Sequence, residues 1–106
     1  MPKYLLEVRY TAEGVRGVMK DGGTKREAAA RALVKSLGGK IECFYFAHGH
    51  ADAIVICEFP DTASALAASM AVNASGAVTG STTVLISPKE MDEAAKKTGK
   101  YSPPGA

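Results

Sequence analysis

A chain of 106 residues has room for one domain and one hydrophobic core. Its 46% hydrophobic and 23% charged content is that of a globular chain, not of a disordered or fibrous one. A formal net charge of +2, without any block of like charges, excludes a nucleic-acid or anionic-membrane arm.

From Lys3 to Tyr10, Tyr4, Leu6, Val8 and Tyr10 alternate with Leu5, Glu7 and Arg9, which predicts a strand with one wholly apolar face. Met1-Pro2-Lys3 leads straight into that pattern, without the charged and apolar regions of a signal peptide. Thr11 to Gly23 is glycine-rich and is expected to form a helical turn or two around Val15, Val18 and Met19. Thr24 and Glu27 have the spacing of a capping box, so a helix is expected to start there and to run to the Gly38-Gly39 stop.

Ile41–Ala47 and Ala53–Phe59 read as the two strands of a hairpin closed by His48-Gly49-His50-Ala51-Asp52. Asp61 is the expected N-cap of a second helix that ends at Gly76. Val78 to Ile86, rich in β-branched residues, is the fourth strand. Ser87-Pro88-Lys89-Glu90 is a second capping box and opens a mostly polar helix to about Thr98. Two prolines keep the last residues, Lys100 to Ala106, out of any helix. Tyr101 is expected to anchor this tail on the body of its own subunit or of a neighbour.

The order is βαββαβ with an appended helix, the split βαβ arrangement of a ferredoxin-like α+β fold. A four-stranded antiparallel sheet is expected, with two helices on one face. Residues 1–98 form the single domain and residues 99–106 a C-terminal tail. No apolar run approaches the roughly 18 residues of a membrane span. Cys43 and Cys57 have neither metal nor redox spacing, so two reduced thiols in a cytoplasmic protein are expected.

Phe46-Ala47-His48-Gly49-His50-Ala51-Asp52-Ala53-Ile54-Val55-Ile56, followed by Phe59-Pro60-Asp61, resembles the GYD-domain family. So do Tyr10-Thr11-Ala12-Glu13-Gly14, Ala74-Ser75-Gly76-Ala77-Val78, Ser87–Asp92 and Tyr101–Gly105, and the likeness covers nearly the whole chain. The resemblance implies a dimeric α+β-barrel type of ferredoxin-like fold and points to no particular reaction. Gly49 and Asp52 keep the glycine and aspartate of the family motif, while Ala51 replaces its tyrosine.

His48, His50 and Asp52 are the one dense cluster of possible chemistry, able in principle to hold a metal or to transfer protons near neutral pH. No further ligand is evident, so a solvated turn is favoured, with Asp52 bonding backbone amides. No metal and no cofactor are expected. Tyr45 and Arg9 join His48, His50 and Asp52 as candidate ligand-binding residues, as an aromatic surface and a charge on the strands. Gly14-Val15-Arg16-Gly17-Val18 is similar to the phosphate loop of acylphosphatases, but Glu13 and Asp21 stand where glycine and arginine are needed. An acidic residue there repels phosphate. The third strand, Ala53–Phe59, is aliphatic at its centre and lacks the exposed aromatics of an RNA-recognition motif.

Alternation puts Tyr4, Leu6, Val8, Tyr10, Cys43, Tyr45, Val55 and Cys57 on one sheet face, and Leu5, Phe44, Phe46, Ile54 and Ile56 on the other. Neither set is polar enough to face water, and this predicts a homodimer or higher homo-oligomer. The function read from the chain is a cytoplasmic, homo-oligomeric module binding a small aromatic or carboxylated molecule between sheet and helices. An enzyme without cofactor, using a His or Asp at the cleft rim, and an interaction protein using the Tyr101–Pro104 tail are the alternatives. No nucleic-acid or membrane partner is expected.

Overall fold

Period-two alternation becomes β1 (Lys3–Tyr10), and Thr11 ends it by capping α1 (Ala12–Asp21) with its hydroxyl on the Gly14 N–H. The computed structural model describes all 106 residues. α2 (Gly23–Ser36), β2 (Lys40–Phe46), β3 (Ala53–Glu58), α3 (Thr62–Ala74), β4 (Val78–Leu85) and α4 (Pro88–Ala95) follow. The four strands form one sheet of order β2-β3-β1-β4, antiparallel at every pairing, which is the ferredoxin-like arrangement.

Two helix starts behave as expected. Asp61 accepts the Ser64 N–H at 2.7 Å at the head of α3. Ser87 and Glu90 form the reciprocal capping box of α4. The box expected at Thr24 does not form. α2 begins two residues earlier, with Gly22 and not Thr24 as its N-cap and no side-chain cap, and Glu27 pairs with Arg31 at 2.8 Å instead. The glycine-rich stretch is also a longer helix than expected, ten residues in α1. Gly14 is buried in it, where any side chain would run into the Ala77 carbonyl. Gly22, at φ 83°, provides the turn between α1 and α2 that residues with a Cβ rarely adopt.

The face assignment of β2 needs correction. Ile41 pairs with Cys57 but Cys43 pairs with Ile56, so Glu42 is an extra residue in a β-bulge. Everything after it swaps sides. Phe44 and Phe46 therefore lie beneath the helices, with their rings edge-to-face at 5.2 Å, and Phe46 rests against Gly23 of α2. Cys43 and Tyr45 move to the uncovered face. Glu42 reaches Lys3 of β1 at 3.2 Å, across β3.

α2 and α3 cover one face of the sheet. At one end of that face Tyr4, Val34, Ile41, Val55, Cys57, Phe59, Ala65 and Ala68 form a closed core. Tyr4 meets Phe59 edge-to-face at 5.8 Å. From Ile86 onward every residue is exposed, including Tyr101 at 79%, so the tail is not anchored on its own subunit. The radius of gyration, 17.0 Å, exceeds the about 13 Å of a compact chain of this length, because α4 and the tail extend from the body. No helix is long and apolar enough to cross a membrane.

Candidate functional site

The closed core does not extend to the far end of the covered face. There, Leu6, Val8 and Tyr10 of β1 look towards alanines: Ala29 and Ala30 on α2, Ala68 and Ala71 on α3. The alanines leave space over the sheet beside the larger Leu33, Val34 and Val72, and a cavity of about 340 Å³ remains there. Protein interiors are normally close-packed, with few voids larger than a water. A void of this size falls in the range of small-molecule sites. Its lining is apolar apart from Arg26, Ser75 and the Tyr10 hydroxyl.

Tyr10 is held in place by three connections at this end. Asp52 accepts the Tyr10 backbone N–H at 2.8 Å, tying the hairpin to the end of β1. The next residue, Thr11, donates its N–H to the Ala77 carbonyl and its hydroxyl to the Gly76 carbonyl, both at 3.0 Å, tying the start of β4 to the same place. Burial raises the pKa of the Tyr10 phenol, Arg26 beside it acts in the opposite sense, and Asp52 adds to the rise. The phenol thus stays protonated at neutral pH and can donate a hydrogen bond.

The residues singled out from sequence are spread over three places. His48 and His50 are exposed at the hairpin tip, and no group of three or more His, Cys, Asp or Glu is placed to hold a metal ion. Tyr45, 70% exposed, and Arg9 lie on the uncovered face of the sheet, away from the cavity. Asp52 bonds a backbone amide, that of Tyr10 on β1 and not one of its own turn, and through that bond it touches the cavity's rim. Sequence reasoning did not find Arg26, Tyr10 as a polar group, or the facing alanines. The alanine-rich runs 28–32 and 63–74 were a visible signal, because helices that must fill a core carry larger residues on the buried side.

The segments through Tyr10–Gly14, Asp52 and Ala74–Val78 thus meet at the mouth of one cavity, though they are far apart in sequence. Comparison with protein families matches the GYD domain over residues 4–95, which takes in all three segments and all of the sheet but Lys3. No curated protein and no solved structure matches the chain. With nearly its full length covered, the chain belongs to the GYD-domain family.

Proposed function

We propose that the protein is a small-molecule-binding module whose site is the cavity between the sheet and helices α2 and α3. The observation that carries this reading is the preformed void itself, apolar throughout and bordered by polar groups at one end only. An enzyme using acid–base chemistry would need a group titrating near the working pH within reach of the ligand. The cavity offers a phenol held protonated and a permanently charged guanidinium, which favours binding over proton transfer. Titration calorimetry with naphthalene or 1-octanol tests the reading. Binding should be seen with the native chain and lost in the Ala29→Leu, Ala71→Leu double variant, which narrows the void from both helices. A native chain that binds neither probe overturns it.

The uncovered face supports a second copy of this chain as partner. Leu5, Cys43, Tyr45, Ile54, Ile56 and Leu85 lie on it among Glu7, Arg9 and Glu58. Four strands roughly 4.8 Å apart and six to eight residues long offer roughly 450 Å² per sheet, so two stacked sheets bury about 900 Å², just under the roughly 1,000 Å² of specific interfaces. The exposed arm from Ile86 to Ala106 adds area for an exchange between copies. Ile56→Glu should yield a monomer. Phe44 lies beneath the helices, so Phe44→Glu should disrupt folding and not the dimer alone. A native chain that sediments as an 11.0 kDa monomer at micromolar concentration overturns the dimer. Cys43 and Cys57 are both unbonded and on opposite sheet faces, which fits a reducing compartment such as the cytoplasm.

A further inference from the structure

The cavity's polar groups are all donors apart from the hydroxyl oxygens, and they sit together at its Tyr10 end. Arg26 is half-buried in the first turn of α2 and lines the void. Of the other cations of this helix, Lys25 pairs with Asp21 at 3.8 Å and Arg31 with Glu27 at 2.8 Å, while Lys35 is exposed in its last turn. Arg26 forms no ion pair. Asp52, the carboxylate closest to the phenol's environment, is already bonded to the Tyr10 backbone N–H. A guanidinium has N–H donors and no acceptor, and it suits a planar two-oxygen anion. Beside it, the Tyr10 hydroxyl offers another donor. Behind both lies an apolar chamber with no second cation along its walls.

We infer that the ligand of this cavity is a carboxylate with an apolar body, its carboxylate gripped by Arg26 and the Tyr10 hydroxyl and its body between the α2 and α3 alanines. The inference rests on the reading of the void as the binding site. A water occupies about 30 Å³ of liquid, so 340 Å³ takes a ligand on the order of ten non-hydrogen atoms. That is the size of a medium-chain aliphatic acid or a phenylalkanoic acid. A dianion or a polyol fits poorly, since one guanidinium neutralises one carboxylate and the remaining walls cannot hydrogen-bond.

Titration calorimetry at pH 7 with octanoate and 3-phenylpropanoate, each against its alcohol, tests this. At least one acid should bind the native chain about tenfold or more tighter than its alcohol, the worth of a hydrogen-bonded charge. Arg26→Gln, at a half-exposed helix position, should remove that advantage by weakening the acid about tenfold and the alcohol by a clearly smaller factor. Tyr10→Phe, which keeps the ring, should weaken the acid by a smaller factor than Arg26→Gln does. Alcohols binding as tightly as their acids, or acids indifferent to Arg26→Gln, would overturn the carboxylate and leave the cavity reading intact. Binding of neither acids nor alcohols overturns both.

Discussion

The two ends of the face covered by α2 and α3 are built from the same elements and differ in one respect, the size of what meets over the sheet. At the closed end Tyr4 and Phe59 pack edge-to-face with Cys57 and Ala65, while Val34, Ile41, Val55 and Ala68 form the boundary that this core shares with the cavity. At the open end, Val8 and Tyr10 face alanines. The helices run through both ends, so the void reflects a choice of side chains and not a gap between elements. One end holds the fold together and leaves the other free to stay unfilled.

The largest test of that division is Phe59→Ala. Phe59 is 1% exposed and packs on Tyr4, so the loss should be about 3–5 kcal/mol, read as a shift in denaturant midpoint at unchanged slope. A loss below about 1 kcal/mol would mean that the closed end is not the stabilising one.

A sharper contrast uses one substitution at two places on α3. Ala65 is 5% exposed within the closed core, and Ala71 lines the cavity. Ala65→Leu overpacks the core and should cost about 1–3 kcal/mol. Ala71→Leu has empty space to enter and should be neutral or add up to about 1 kcal/mol. Equal losses at both positions, measured by thermal unfolding, would show that the cavity collapses in solution.

The cysteines give a kinetic version. Cys57 lies in the closed core, and burial pushes its thiol up to about 11. At pH 8 roughly one molecule in a thousand carries the thiolate, so iodoacetamide should modify it only at the rate of unfolding. Cys43, half-buried on the other face, should react much sooner once dilution has separated the copies. Modification of Cys57 as fast as Cys43 in the folded chain would show that the closed end opens readily.

How much of this could be read from the sequence follows the same division. β1, the hairpin, the Asp61 and Ser87 caps and the order of elements are local, written in alternation and in capping residues. The bulge at Glu42 is not, because alternation has no mark for one extra residue. It reversed the sides of Phe44 and Tyr45. Thr24 and Glu27 had the right spacing for a cap, but α2 extends back to Gly23, which puts Thr24 inside the helix. The histidines drew attention as chemistry-bearing residues and turned out to sit in an exposed loop, whereas the void depends on which alanines face each other across two helices. That juxtaposition appears only once the chain has folded.

The smallest expected effect concerns how the closed end anchors α3. Asp61 caps it, accepting the Ser64 N–H, and the backbone and side-chain bonds from Ser64 hold its carboxyl below the ordinary 3.8. A carboxylate with a lower pKa in the folded chain than in the unfolded one stabilises the fold above the unfolded value, and that stabilisation is lost as pH falls through the folded value. The melting temperature of Asp61→Ala should therefore lie below that of the native chain at pH 7, and the two should converge as the pH falls below about 3.8. Asp61→Asn, which keeps a cap but no charge, should fall between them at pH 7 and show a weaker dependence on acid. By contrast α2, which starts at the open end, follows Gly22 and has no carboxylate cap to titrate. If the gap between native and Asp61→Ala chains stays constant from pH 7 to pH 3, the charge on Asp61 contributes nothing and only its shape caps α3.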